Sequence, residues 1–336
     1  MPRPVNRSIP VTRRAHLNGY VKFLERIGSP VEQALEAAKL PVEETSGSSL
    51  VTVHSLFSFV HSMSRREGID NLGVEVGLSL QERAIGGPLR DAIALAPTLL
   101  EGIRVFGRFA KAEGSHLDIG LEERGDSVLF WHRGVHDDHP GFGQMETYFV
   151  QALLGCARAF LGPGWEAPVI GLESPQVPER ALEACPGSRV LCSQPLHFIE
   201  IPRVLLSRPP APPAVTKCVS LSPEALPSGF VESLRSLLES YVCDRKLSLD
   251  FAAELSGVST RTLQRRLQAA GVSLSDLVGH ARYRVAARML EDPAHTVTDV
   301  AHLVGYDDSS HFTRAFRRMT GVPPSVFRRS AAPGAA

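Results

Sequence analysis

The chain reads GYDDSSHFTRAFRRMTGVPPSVFRR over residues 305–329, and this segment is the most informative about the fold of the C-terminal region. A related stretch stands about 48–50 residues earlier, so the region contains an internal repeat. Each copy begins Ala-x-Leu-x-Gly, at Ala253 and at Ala301. A second apolar stretch with helical spacing follows in both copies. Because glycine adopts the left-handed backbone that ends a helix, we predict two helix-turn-helix units.

The second helix of each unit should present polar side chains to solvent. Its apolar residues pack against the first helix, which leaves small polar residues, glutamine and arginine on the outer face. Such side chains can bond base edges in a major groove, and the N-terminal half of a recognition helix is the part that reaches them. The candidate base-reading residues are Arg261, Gln264 and Arg265 in the first unit, and Ser309, Ser310, His311, Thr313 and Arg314 in the second. The candidate phosphate contacts are Arg266, Arg317 and Arg318, with ordinary surface residues as the alternative.

A third helical pattern separates the two units, over residues 274–290. A helix of about 16 residues is about 24 Å long at 1.5 Å per residue. With flanking turns, such a strut could hold two recognition helices about 34 Å apart, which is the separation of successive major grooves on one face of DNA.

These residues resemble a known family. The pattern G-Y-x-D-x-S-x-F-x-R-x-F over residues 305–316, followed by G-x-P-P over 321–324 and by Arg328, is similar to the signature of the AraC/XylS family of transcription regulators. R-Y-x-x-A-x-x-M-L over 282–290 resembles that family's connecting helix. The resemblance covers about 100 residues. It implies a seven-helix DNA-binding domain, with contact positions at the residues named above. Val258 departs from it, because an aromatic residue is common there.

Composition adds weaker constraints. The chain has 336 residues, 43% hydrophobic and 21% charged, which is typical of a soluble protein with two or three domains. The formal net charge is +0, but residues 230–329 carry about 14 basic and about 11 acidic residues, a mild local excess. The five cysteines form no CxxC pair, which favours a reduced chain in the cytoplasm. Neither a signal peptide nor a membrane-spanning segment is visible, so we expect no membrane partner.

The first 205 or so residues mix helical and strand patterns. Helical spacing follows Ser29-Pro30 and recurs over 52–67, 98–111 and 142–161. Alternation over 115–132 around Gly125 predicts a β-hairpin, and short strands are predicted at 169–172, 189–192 and 197–201. We therefore predict a mainly α, two-domain protein. Its parts are an α+β effector-binding or dimerisation domain (1–206), a Pro-rich linker (207–229), an all-α DNA-binding domain with tandem helix-turn-helix units (230–330) and a disordered tail (331–336).

The first domain also carries a resemblance, looser than the first. Residues 86–133, the helical stretch 142–161 and the pattern F-x-x-x-P-x-x-x-L-x-x-P over 198–209 resemble the arabinose-binding-like ligand domain on one branch of AraC-type regulators. This resemblance implies effector sensing or dimerisation. It assigns no effector-binding residue and no effector identity.

A metal site and an enzyme are the alternatives that particular residues suggest. His132, His136 and His139 could bind a divalent ion, but Gly134 and Pro140 favour an exposed polar loop, so no metal ligand and no cofactor is assigned. Enzymes would need motifs such as GxSxG, GxxxxGK[ST] or HExxH, or the cysteine cluster and Cys-His pair of DNA-repair methyltransferases. Because the sequence has none of them, we predict that the chain is not an enzyme.

The sequence thus predicts a ligand-responsive transcription regulator that binds duplex DNA with two recognition helices. The prediction that the regulator is an activator rests only on what is usual in the family, and a repressor is the alternative. A first domain that merely dimerises or docks a protein partner is a further alternative. The expected partners are operator DNA, a small-molecule effector, RNA polymerase for an activator, and a second copy of the chain.

Overall fold

A computed structural model describes residues 8–42, 49–82, 88–134, 138–177, 179–211 and 225–331. Contacts divide the chain into two compact units. The central unit comprises Ala15–Leu40 and Val53–Leu226. The C-terminal unit comprises Pro227–Ala336 together with two segments from the start of the chain, Met1–Arg14 and Pro41–Thr52.

Helices dominate both units. The strands are β1 (Val11–Arg13), β2 (Leu50–Thr52), β3 (Asp118–Arg124), β4 (Ser127–Arg133), β5 (Val169–Gly171), β6 (Arg189–Leu191) and β7 (His197–Pro202). The helices of the central unit are α1 (Leu17–Arg26), α2 (Val31–Ala37), α3 (Val53–Glu67), α4 (Leu72–Glu82), α5 (Pro88–Ala94), α6 (Leu99–Glu113), α7 (Phe142–Leu161) and α8 (Glu179–Glu183). Those of the C-terminal unit are α9 (Phe230–Tyr241), α10 (Leu249–Leu255), α11 (Thr260–Ala269), α12 (Leu274–Glu291), α13 (Val297–Leu303), α14 (Ser309–Thr320) and α15 (Pro324–Ala331).

The central unit is built on a five-stranded sheet with the strand order β3-β4-β7-β5-β6. The predicted hairpin is confirmed: β3 and β4 are antiparallel, and Gly125 turns between them with a φ of 60°. β7 pairs antiparallel with both β4 and β5, whereas β5 and β6 are parallel. Phe130 and Ile199 are fully buried opposite each other and belong to the core that α6 and α7 cover.

Helix α7 is buried along most of its length, and α4 lies unusually close to it. A Cβ atom on Gly73 would stand 1.8 Å from the backbone carbonyl oxygen of Gln144, and one on Gly77 would stand 2.7 Å from Cβ of Gln151. Only glycine therefore permits this helix-helix distance. The contact sets the position of α7, which carries polar side chains described below.

The C-terminal unit contains a short antiparallel ribbon besides its helices. Strands β1 and β2 pair with Val11 opposite Thr52. The Leu50 N–H donates to Ser240 Oγ on α9 at 2.9 Å, and this bond is buried. The buried Arg14 guanidinium donates to the carbonyl oxygens of Pro41 and Val42 at 3.2 and 2.7 Å. The ribbon thus joins the helices through satisfied polar groups as well as apolar contacts.

The predicted fold class is confirmed, namely a mainly helical protein with an α+β N-terminal part and a helical C-terminal part. The helices expected after Ser29-Pro30, over 52–67, over 98–111 and over 142–161 are all present. Helices α1, α4, α5 and α8 were not anticipated. Of the predicted linker, residues 212–224 lie outside the described part, and so do residues 332–336 of the predicted tail. Within the described residues, no helix combines the length and the hydropathy needed to span a membrane.

Candidate nucleic-acid interface

The first helix-turn-helix unit consists of α10 and α11. Gly257 turns between them with a φ of 63°, which is the left-handed conformation that the sequence predicts. Ser259 caps the start of α11, because its Oγ accepts the N–H of Thr262 at 3.2 Å. Leu263 and Leu267 are buried, so the apolar stripe of α11 faces the unit's interior and the opposite face is left to solvent.

The second unit consists of α13 and α14. Gly305 turns between them with a φ of 83°. Asp308 caps α14, since one carboxylate oxygen accepts the N–H groups of Ser310 and His311, each at 2.8 Å. The pKa of the Asp308 carboxyl is held below its ordinary value, chiefly because the carboxylate accepts the hydrogen bond from the His311 N–H. The start of α14 is therefore fixed by a charged cap.

Aromatic side chains from α12 and α15 pack against the buried face of α14. Phe316 is 2% exposed, and its ring centroid lies 5.5 Å from that of Tyr283 on α12 and 5.4 Å from that of Phe327 on α15. Phe312 lies 5.6 Å from Phe316 on the same helix. The first unit uses leucines at the corresponding places, so the two units share their plan and differ in their packing.

Helix α12 connects the two units. Its 18 residues make it about 27 Å long. Ser273 and Asp276 form a capping box at its start: the Ser273 hydroxyl accepts the Asp276 N–H, and the Asp276 carboxylate accepts the Ser273 N–H. Near its end, the Arg328 guanidinium donates to the carbonyl oxygens of Leu290 and His295, at 3.3 and 2.6 Å. Arg328 of the sequence signature is thus a structural residue that ties α15 to the end of α12.

The structure places every candidate base-reading residue on α11 or α14. Arg261, Gln264 and Arg265 are exposed on α11, and Ser310, His311 and Arg314 are exposed on α14. Ser309 and Thr313 are half-buried, and the Thr313 hydroxyl donates to the Ser309 carbonyl oxygen at 2.7 Å. The assignment of these residues as DNA contacts stays a prediction.

The three candidate phosphate contacts differ in their surroundings. Arg317 and Arg318 are exposed in the last turns of α14. Arg266 is half-buried, and its guanidinium carbon lies 4.6 Å from the ring centroid of Phe230 on α9. A cation–π contact of this kind attaches Arg266 to the helix core. Sequence spacing could not reveal it, because Phe230 lies 36 positions earlier in the chain.

Two of the three histidines that the sequence groups together, His132 and His139, lie within the described residues. His132 lies buried on β4 and is hydrogen-bonded through Nδ1 to Nε2 of His197. His139 lies 3.1 Å from the hydroxyl of Ser58 and accepts the N–H of Gly141 at 3.0 Å. His136 lies outside the described residues. Of the cysteines, Cys156 and Cys185 are buried, and Cys192 and Cys243 are half-buried. Burial raises the pKa of the Cys156 thiol far above its ordinary value.

Comparison with known proteins matches this architecture. A profile described as a helix-turn-helix domain matches residues 252–330, and one described as the arabinose-binding domain of AraC transcription regulator, N-terminal, matches residues 28–210. The ornithine utilization regulator of Pseudomonas aeruginosa is 32% identical over 145 residues, which are 41% of this chain and 42% of that protein.

Two further similarities extend over nearly the whole chain. The HTH-type transcriptional regulator VirS of Mycobacterium tuberculosis is 26% identical over 94% of this chain and 96% of its own length. The crystal structure of the transcriptional regulator CdpR from Pseudomonas aeruginosa matches at 20% identity with a TM-score of 0.34, covering 89% of this chain and 96% of that one. The arabinose-binding-domain profile alone spans more than half of the sequence. The chain belongs to the AraC family of transcription regulators.

Proposed function

We propose that the chain is a sequence-specific transcription regulator that inserts α11 and α14 into successive major grooves of duplex DNA. One observation carries the proposal. Both helices begin at a capped N-terminus, bury an apolar stripe, and expose arginine within their first two turns, at Arg265 and at Arg314. Within the described residues, neither arginine forms an ion pair. Their guanidinium groups are therefore available for the bidentate bond that arginine makes to guanine.

The test begins with selection of duplexes from a random pool by the full-length chain, followed by footprinting. The selected site should have two conserved parts about 10–10.5 base pairs apart, one for each recognition helix. Arg265→Ala should remove the sequence preference in one part, and Arg314→Ala in the other. Each change should weaken binding to the selected site by about 1–3 kcal/mol and weaken binding to scrambled DNA less.

Arg104→Ala provides the matched control. Arg104 is also an exposed helical arginine, but it lies on α6 of the central unit and pairs with Glu101. This change should leave the affinity for both duplexes unaltered. If Arg265→Ala and Arg314→Ala weaken binding to the selected and the scrambled duplex equally, the two residues contact phosphates rather than bases. If no sequence is enriched at any salt concentration, the proposed reading mechanism is wrong.

We further propose that the regulator is a ligand-responsive activator with an effector site in the central unit, which also dimerises and recruits RNA polymerase. The chain passes between the two units at four places, after residues 14, 40, 52 and 226. Ordering of the central unit by a ligand therefore has several covalent routes to the DNA-reading helices. Repression, or a central unit that only docks a protein partner, is the alternative.

Two compounds are the first to test. The N-terminal profile is named for arabinose, and the curated relative for ornithine utilization. Trp131 and Trp165, both in the central unit, report its melting by fluorescence. An effector should raise this melting temperature and change transcription from a promoter that carries the selected site. Activation that needs neither compound, with a dimer at all concentrations, would favour the docking alternative.

A further inference from the structure

A buried cluster of three ligating side chains lies in the central unit. Glu146 is on α7, Glu173 follows β5, and His197 begins β7. His197 Nδ1 lies 3.1 Å from Oε1 of Glu173 and 3.8 Å from Oε1 of Glu146. The side chains of His197 and Glu146 are 0% exposed and that of Glu173 is 9% exposed. All three ligating atoms lie within 4.8 Å of one another.

Hydrogen bonds from the backbone hold the Glu146 carboxylate in place. The backbone N–H groups of Glu173 and Ser174 donate to the Glu146 carboxylate, the latter at 3.2 Å to Oε2. The loop after β5 is therefore attached to α7, and this attachment carries the Glu173 side chain to the same point. Burial raises the pKa of the Glu146 carboxyl, which is the expected cost of an acidic group inside a protein.

His197 is oriented by a second histidine. Its Nε2 is hydrogen-bonded to Nδ1 of His132, which is 1% exposed. With a cation bound, His197 would donate this bond and its Nδ1 lone pair would face the ion; without one, the Nδ1–H donates to Oε1 of Glu173 at 3.1 Å. Metal-ligating histidines are commonly held in this way, with the outer ring nitrogen donating to a neighbour that fixes the tautomer.

The distances favour a metal ion over an organic cation. Bonds of about 2.0–2.2 Å from tetrahedral zinc to nitrogen and oxygen place neighbouring ligand atoms about 3.4 Å apart. The observed separations of 3.1 and 3.8 Å lie on either side of this value. An ammonium group that donates two bonds of about 2.8 Å would hold its acceptors about 4.6 Å apart. Both separations from His197 Nδ1 are shorter than the distance that an ammonium group would set between two acceptors, and they suit a small divalent ion.

We propose that Glu146, Glu173 and His197 bind a divalent transition-metal ion, with Zn²⁺ as the first candidate and His132 as the positioning residue behind His197. One imidazole and two carboxylates form a donor set that zinc accepts. Three protein ligands leave a fourth position for water or for an effector oxygen. The ion would tie α7, β7 and the loop after β5 together, and so would stabilise the central unit.

The full-length chain is first freed of metal with a chelator. It is then titrated with Zn²⁺ in competition with a chromophoric chelator, which gives the affinity, and separately with Co²⁺, whose absorption spectrum reports the coordination geometry. We expect one ion per chain, a tetrahedral Co²⁺ spectrum without a thiolate charge-transfer band, and a higher melting temperature by tryptophan fluorescence. Failure of the folded protein to bind either ion overturns the proposal. A thiolate band overturns it too, because it assigns the metal to cysteine.

Variants locate the site. Glu173→Gln keeps the size of the side chain and removes a charged ligand, so it should weaken Zn²⁺ binding at least tenfold, as should His197→Gln if that variant folds. His132→Phe should weaken binding about 10–100-fold while keeping one ion per chain. His139→Gln is the control, since its ring lies among other partners. Unchanged binding by Glu173→Gln, or loss of binding in His139→Gln, contradicts the assignment.

Discussion

Replacing Phe316 with alanine tests whether aromatic packing supports the second recognition helix. The Phe316 ring is buried and meets rings from α12, from α15 and from its own helix, at centroid distances of 5.4–5.6 Å. Truncation of a buried phenylalanine to alanine costs about 3–5 kcal/mol, because the transfer free energy is lost and a cavity remains. We expect the free energy of opening of α14 to fall by that amount.

Hydrogen exchange of the full-length chain measures this change locally. A loss of 3 kcal/mol corresponds to exchange faster by about two orders of magnitude in peptides from residues 309–320. Met319→Ala is the matched control, because Met319 lies on the same helix and is 46% exposed. It should change the opening free energy by no more than about 0.5 kcal/mol. A loss below 1 kcal/mol in Phe316→Ala, or equal losses in the two variants, would refute the reasoning.

Two further predictions concern packing and pH. Gly73→Ala should destabilise the central unit by about 1–3 kcal/mol or more, because the new Cβ would overlap the Gln144 carbonyl oxygen. Gly107→Ala on α6 is the control, since a Cβ there would meet open space, and it should stabilise the unit by about 0.5–1 kcal/mol. Thermal melting detected by tryptophan fluorescence compares the two variants. The Ser273 hydroxyl and N–H hold the pKa of the Asp276 carboxyl below its ordinary value. The stability that this carboxylate gives to the start of α12 is therefore complete above a pH of about 3.9 and is lost as pH falls through the lowered folded-state pKa. Hydrogen exchange at this end of the helix should accelerate in acid in the native chain, and much less in Asp276→Asn.

The helix-turn-helix units could be read from the sequence because their determinants are local. Helical hydrogen bonds join residues four apart, and the caps at Ser259 and Asp308 act within three residues. The turn glycines, Gly257 and Gly305, are likewise local choices. Short stretches of sequence therefore specify each helix, its ends and its apolar face, and the internal repeat then specifies the pair.

The environments of individual residues depended on distant partners. Arg266 and Arg328 resemble surface arginines in the sequence, yet one packs on Phe230 and the other holds carbonyl oxygens at the end of α12. Likewise, His132 and His139 lie close together in the sequence, but His132 is hydrogen-bonded to His197, whereas His139 is hydrogen-bonded to Ser58 and Gly141. Sequence proximity brought together His132 and His139, while the sheet register brought together His132 and His197.

Local sequence patterns specify the family, the fold class and the faces of α11 and α14, since helix periodicity and capping are encoded within a dozen residues. The tertiary structure was needed to show that the β1–β2 ribbon belongs with the C-terminal helices, to which a hydrogen bond between residues 190 positions apart joins it. It alone assembled Glu146, Glu173 and His197 from a helix, a loop and a strand. Strand pairing and buried polar clusters join groups far apart in the chain, so neither leaves a local pattern in the sequence.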